Sequence, residues 1–288
     1  MSEQNNKKLN QWVENLTKVE IPVLKQTARK LSALVEDIEN QTPRSIAQVI
    51  KSDPLMVVKL MRHLQAYKHR GQEHEIVEVE QALLMLGLEN ALKKVPAKPV
   101  VEDVLGREHM PALVHLLKVT QRAKIASNYA FDWAVRLHDL HYEEVRIAAL
   151  LRDIAEILMW CFSPKAMLTI KTIQTEDKTL RSHHVQEKVL GFALHELQLA
   201  LAIKWKLPEL LIRLIDAEYS SEQRVRNVCL AVNLARHSAN GWGDAALPDD
   251  YADIADLLHL KPEEVMTIVG VDINNSDDSS GQEIPRAQ

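Results

Sequence analysis

The sequence predicts an all-α protein built as a multi-helix bundle, and three observations support this fold class. Apolar residues recur at steps of three and four along nearly every segment, as they do on the buried face of a helix. Glycine and phenylalanine are scarce, at 8 and 3 residues of 288, and Leu, Ala, Ile, Val, Lys and Glu dominate. Prolines stand at the starts of several periodic segments, where a missing N–H is harmless.

The first elements follow from this pattern. The apolar residues between 23 and 38 predict one helix. Thr42 is a suitable cap for a second helix, because its hydroxyl can accept a backbone N–H and Pro43 suits the first turn. The sequence Ser52-Asp53-Pro54 repeats this arrangement and predicts a third helix over 55–64.

A fourth apolar stripe, over 76–86, ends at Gly87 and follows a loop marked by Gly71. Two prolines then fall within the stretch 94–103, which breaks any helix. We therefore predict a boundary here, between an N-terminal helical part, residues 1–98, and a larger C-terminal helical part, residues 99–270.

The C-terminal part continues the helical pattern. Its polar end, residues 271–288, is low in apolar residues and is predicted to be disordered. The predicted helices lie near 109–131, 142–161, 164–174, 182–204, 208–217, 221–239 and 249–258, and a last short helix begins at Lys261-Pro262.

Charge and composition exclude several classes of protein. A net charge of -5 argues against a general nucleic-acid-binding protein, which needs a basic surface. Cys161 and Cys229 lack CxxC spacing, so they indicate neither a zinc site nor a disulfide scaffold. The sequence shows no signal peptide, no membrane-spanning run and no phosphate-binding glycine loop. We expect a cytoplasmic protein with no cofactor.

The segment 147–162 is apolar almost all the way round and is predicted to be a buried helix. Arg152, Asp153 and Glu156 interrupt it, and buried charges need partners. One interpretation is an arginine–carboxylate network that holds helices together. The other is a metal or substrate site, because a carboxylate is a good ligand for a hard cation.

The order of the motifs resembles the HDOD proteins, relatives of the HD and HD-GYP phosphohydrolases, over about residues 16 to 270. In SIAQVIKSDPLMVVKLMRHLQAY, Asp53 and Pro54 match a family motif. In IVEVEQALLMLGLENALKKV, Gly87 follows the expected leucine. The stretch GFALHELQLALAIKWKLP is similar to the family's Trp-x-Leu-Pro segment, with Trp205 and Pro208 in place.

The C-terminal motifs resemble the helices that carry metal ligands in catalytic relatives, but most ligands differ. HLLKVTQRAKIA places His115 at the first ligand position. AALLRDIAEIL keeps Asp153 but has Arg152 in place of histidine. The next usual histidine falls on Leu194, and Asn233 stands where catalytic relatives have aspartate.

The resemblance therefore implies a scaffold with a degenerate metal site: no catalytic residue, no metal and no enzyme activity. A catalytic metal needs about three protein ligands, and Arg152 would repel a divalent ion. A further hypothesis is that Arg152 replaces the metal by pairing with Glu156 and with Asp216 or Glu218. This hypothesis predicts that Arg152→Ala loosens the C-terminal part.

What the resemblance implies about function is signal transduction by protein–protein contact in trans with a kinase, a response regulator or a cyclic-dinucleotide enzyme. No membrane or nucleic-acid partner is expected. Two alternatives are a residual metal-dependent phosphohydrolase and a nucleotide or small-molecule sensor that uses the vestigial cavity.

Candidate contact surfaces are the corner Trp205 to Pro208 and the helix after Asp53-Pro54, although both could serve packing alone. The most basic run of the sequence is interpreted as a solvated helix face or a docking patch. It comprises Lys59, Arg62, His63, Lys68, His69 and Arg70.

Overall fold

A computed structural model describes residues 3–66, 77–177 and 179–271, and it confirms the all-α fold class. The described residues contain no strand; Val23 and Val100 form only an isolated parallel bridge. Lys68, His69, Arg70 and Gly71 and the tail from residue 272 onward lie outside the described residues. No helix within the described ranges is long and apolar enough to cross a membrane.

The N-terminal part begins with a helix that the sequence analysis did not predict. It carries Leu9, Val13 and Leu16 on its buried face, at the spacing of an amphipathic helix. Asn40 lies in a short 3₁₀ turn after the predicted first helix, and Gly87, with a φ of 73°, separates the last two helices. The helices are α1 (Glu3–Lys18), α2 (Lys25–Val35), α3 (Pro43–Ile50), α4 (Pro54–Ala66), α5 (Val79–Leu86) and α6 (Leu88–Lys94).

In the C-terminal part, two predicted helices are each broken in two. The predicted helix 142–161 is interrupted at Arg152 and Asp153, and the predicted helix 182–204 is interrupted at Gly191, whose φ is 92°. The helices are α7 (Val101–Leu105), α8 (Met110–Arg136), α9 (Tyr142–Leu151), α10 (Ile154–Phe162), α11 (Pro164–Glu176), α12 (Ser182–Leu190), α13 (Leu194–Lys204), α14 (Glu209–Ile215), α15 (Gln223–His237), α16 (Leu247–Leu258) and α17 (Pro262–Ile268).

Apolar packing continues across the predicted boundary near residue 98. One core cluster includes buried residues of both parts, and α1 packs against α13. The segment around Val23 also pairs with the start of the C-terminal part. The Val23 N–H donates to Pro99 O at 2.9 Å, and the Val101 N–H donates to Val23 O at 2.9 Å.

Asp53 fixes the start of α4 and ties it to α2. Its side chain is fully buried. Oδ2 accepts the Leu24 N–H at 2.8 Å, and Oδ1 accepts the N–H groups of Leu55 and Met56 at 2.9 and 3.3 Å. This is the role of an N-cap residue, extended to a second helix 29 residues away in the chain.

The interpretation of the basic run as a solvated face or docking patch is wrong for the two residues of α4 whose contacts are defined. Lys59 is buried at 7% exposure, and its Nζ donates to the carbonyls of Ile21 and Lys98. Arg62 donates to Thr17 O at 2.8 Å, and its guanidinium lies 5.1 Å from the ring centroid of Trp205. These cations therefore join α4 to neighbouring segments of the fold.

The two predicted contact surfaces are mostly buried, which favours the alternative that their residues serve only the packing of the fold. Helix α4 is buried over most of its length, including Pro54. In the corner after α13, Trp205 and Leu207 are 5% and 3% exposed. A partner cannot reach these side chains in the folded protein.

Candidate functional site: a charged cavity at the break between two central helices

The site forms where the central helix is interrupted. Arg152 ends α9 and Asp153 precedes α10, with a φ of -104° and a ψ of 20° that lie outside the helix. Both residues are half-buried, whereas Leu151 before them and Ile154 after them are buried. Such an interruption leaves backbone groups without helical partners.

Gln198 of α13 satisfies the broken backbone. Its Oε1 accepts the Ala155 N–H at 2.9 Å, and its Nε2 donates to Leu151 O at 3.0 Å. The side chain is 3% exposed. It therefore holds the end of α9 and the start of α10 in a fixed relation and positions Asp153 between them.

Arg122 of α8 is the centre of the charged cluster. Its Nη2 donates to Asp153 Oδ2 and to Glu156 Oε2, both at 2.9 Å. Arg236 of α15 approaches from the other side, with its Nη2 3.7 Å from Asp153 Oδ1. The side chains of Arg122 and Asp153 are only 18% and 13% exposed, so water screens this ion pair weakly.

The predicted pairing of Arg152 with Glu156 and Asp216 or Glu218 is wrong, because Arg122 takes the bridging role. The Arg152 guanidinium makes no hydrogen bond or ion pair with any of the described residues. Asp216 instead accepts the backbone N–H of Glu218 at 3.0 Å, in a tight turn after α14. Spacing along one helix placed Arg152 and Glu156 together, but Arg152 ends α9 and Glu156 belongs to α10.

The cluster shifts the pKa of its members. Burial alone would raise the pKa of Asp153, but the charges of Arg122 and Arg236 outweigh it and hold this pKa below its usual range. Burial would lower the pKa of Arg122, but Asp153 and Glu156 outweigh it and raise this pKa. Both shifts favour the charged forms of Asp153 and Arg122.

His115 lies on the same side of α8 as Arg122, seven residues earlier. Its ring stacks on Trp160, with the ring centroids 4.9 Å apart and the planes at 18°. Burial and the positive charges of Lys171 and Lys118 lower the pKa of His115. Its surroundings therefore favour the neutral form of the imidazole.

These side chains line a cavity of about 640 Å³. Helices α8, α10, α11, α12 and α13 form its walls, together with the end of α15. Of the predicted positions, His115, Arg152, Asp153, Glu156 and Leu194 line the cavity. Asn233 does not; it is half-buried on α15, one turn before Arg236.

Other histidines do not add a ligand set. His183 and His195 reach the cavity wall, and the His183 ring lies against that of its neighbour His184. Within residues 3–66, 77–177 and 179–271, no group of three or more His, Cys, Asp or Glu side chains is arranged to hold a metal ion.

Sequence reasoning missed Arg122, Arg236 and Gln198. A signal for Arg122 was present, because it lies two helical turns after His115 and so shares its face of the helix. Arg236 and Gln198 act across helices that are distant in the chain. Only the packing of α13 against α10, and of α15 against α8 and α9, brings them to the site.

A second feature of α8 is an exposed apolar stripe. Met110, Val114 and Leu117 recur at steps of four and three residues and are 51%, 48% and 43% exposed. They lie at the N-terminal end of the helix, beside the cavity residues His115 and Lys118. Contiguous exposed apolar surface of this kind is typical of interaction sites.

Comparisons with known proteins identify the family. The crystal structure of the MmoQ response regulator from Methylococcus capsulatus has a TM-score of 0.66 and 17% identity, covering 87% of this chain and 98% of that one. A virulence factor, cj0248, from Campylobacter jejuni has a TM-score of 0.61 and 18% identity, covering 92% and 91%. No curated protein matches the chain. The family model of the HDOD domain matches residues 21–221, and the chain belongs to the HDOD family.

Proposed function

We propose that this chain is a non-catalytic signal-transduction protein that acts by binding signalling proteins in trans. Membership of the HDOD family supports a signalling role. The similar structures include a protein described as a response regulator and another described as a virulence factor. At 17% and 18% identity, their likeness to this chain concerns the fold alone.

The ion pairs of Arg122 with Asp153 and Glu156 are the main support for a protein without catalytic activity. In catalytic HD relatives, carboxylates and histidines hold metal ions that generate hydroxide. Here the two cavity carboxylates are already neutralised by an arginine, with Arg152 and Arg236 close by. A divalent cation entering this site would meet three guanidinium groups and lose the carboxylates it needs. The residues present do not fit a metal.

The protein-binding part is supported by the exposed stripe of α8. A signalling protein that covers Met110, Val114 and Leu117 would remove apolar surface from water, which is the main source of affinity in such interfaces. The partner classes that we propose are a kinase, a response regulator or a cyclic-dinucleotide enzyme. The cavity lies directly beside the stripe, so its contents can influence the same face.

We expect Val114→Asp to weaken binding of such a partner by about tenfold or more, because a carboxylate would be buried in an apolar contact. The measurement is a binding screen of the purified chain against the kinases, response regulators and cyclic-dinucleotide enzymes of its own organism. Val135→Asp is the matched control, since Val135 is 46% exposed at the other end of the same helix. A screen without any binder, or equal losses in both variants, would contradict the proposal.

A further inference from the structure

The charge of the cavity is opposite in sign to that of the chain. Its walls carry five Lys and Arg side chains and two carboxylates, a formal excess of three positive charges, whereas the whole chain has a net charge of -5. Both carboxylates are engaged by Arg122. The five cations are Lys118, Arg122, Arg152, Lys171 and Arg236.

We propose that this cavity binds a small phosphate monoester with an apolar or aromatic body, held by side chains alone. Such a ligand can bind whether or not the protein has partners. The lining of the cavity favours both an anionic group and an apolar body.

The anionic group is indicated by cations that form no direct ion pair within the described residues. These are Arg152, which is half-buried and acts on Asp153 only from a distance, and the exposed lysines Lys118 and Lys171. Lys118 and Lys171 are close enough to His115 to lower its pKa. A cleft lined by one sign of charge concentrates ions of the other sign, and arginine and lysine together suit a doubly charged phosphate group.

The body of the ligand is indicated by an apolar wall. Val119, Trp160, Met167, Ile170 and Leu194 line the same cavity and are each at most 8% exposed. A volume of about 640 Å³ lies within the range of small-molecule sites and accommodates an organic group as well as the phosphate.

The titration of His115 can report on the binding of an anion. His115 is stacked on Trp160 and faces Lys118 and Lys171 from α8 and α11, with Arg122, Asp153 and Glu156 deeper in the cavity. An anion placed between the lysines offsets their charge. Binding should therefore shift the titration of His115 to higher pH.

The experiment uses the full chain and phenyl phosphate as the probe, with inorganic phosphate and phenol as its separated halves. Calorimetry measures affinity, and the imidazole resonances of His115 report its titration. We expect phenyl phosphate to bind more tightly than either half and to raise the pKa of His115. Arg152→Gln and Lys171→Ala should each weaken binding by about three- to tenfold.

Lys165→Ala is the matched control for Lys171→Ala, because Lys165 is exposed on the same helix and does not line the cavity. Both lysine variants alter exposed side chains, so they test the proposal even if Arg152→Gln lowers stability. No binding of phenyl phosphate, or binding that survives unchanged in both cavity variants, would overturn the proposal. Release of phosphate from the bound probe would support the site but contradict the non-catalytic function.

Discussion

Arg122→Ala is expected to lower the free energy of unfolding by about 3 kcal/mol or more, because it leaves two weakly screened carboxylates without their counter-ion. Asp153 and Glu156 both accept from the Arg122 Nη2 at 2.9 Å, and the exposed fractions of their side chains are 13% and 26%. Urea denaturation of the purified variant measures the loss.

Arg152→Ala is the matched control, since the two arginines line the same cavity but only Arg122 is hydrogen-bonded to the carboxylates. We expect a loss below about 1 kcal/mol for Arg152→Ala, because its guanidinium makes no hydrogen bond or ion pair with the described residues. If Arg152→Ala were as destabilising as Arg122→Ala, the arrangement of the cluster would be wrong. The original hypothesis of Arg152 as the bridging residue would then be restored.

Asp53→Ala is expected to cost about 3 kcal/mol or more, because it leaves three backbone N–H groups without their acceptor in a buried place. Thr42→Ala is the control for an ordinary helix cap. The Thr42 hydroxyl accepts the Ser45 N–H at 3.1 Å at an exposed position, so its loss should cost about 1 kcal/mol. Equal effects of the two substitutions would contradict the role of Asp53 as a link between α2 and α4.

The pH dependence of the free energy of unfolding provides a second test of the role of Asp53. Burial raises the pKa of this carboxyl group, although hydrogen bonds from Leu24, Thr27, Met56 and Leu55 oppose the shift. The folded state therefore binds the proton more tightly than the unfolded chain does. Asp53 contributes most to stability below its unfolded pKa of about 3.9, and that contribution is lost as the pH rises through the folded value. In Asp53→Asn this part of the pH profile should disappear.

The sequence predicted the helical fold well because buried faces and capping residues are local signals. Thr42 and Asp53 mark helix starts that the structure has at Pro43 and Pro54. Helix α1 was missed because its first ten residues are mostly polar, although Leu9, Val13 and Leu16 carry the periodicity. The break at residues 152–153 was missed because the apolar pattern continues on both sides of it. Gln198 of α13 binds the free backbone groups at the break, and this long-range contact leaves no local signal.

The candidate site was predicted only in part, for a related reason. His115 and Asp153, which the family resemblance assigned to one site, both line the same cavity. The partner of Asp153 depends on how α8, α10 and α15 pack, and a choice between Arg122, Arg152 and Arg236 cannot be made from spacing along a single helix. Long-range side-chain contacts decide the chemistry of the site, whereas short-range patterns decide its helices.

We infer that Arg122 occupies the cavity carboxylates with which a catalytic relative would bind a metal ion. Elemental analysis tests it most directly, on the full chain purified without chelator and then offered manganese and ferrous iron. We predict far less than one metal ion per chain, unchanged by Asp153→Asn. A nearly stoichiometric metal ion that is lost in Asp153→Asn would contradict the claim and would make this cavity the centre of a metal-dependent enzyme.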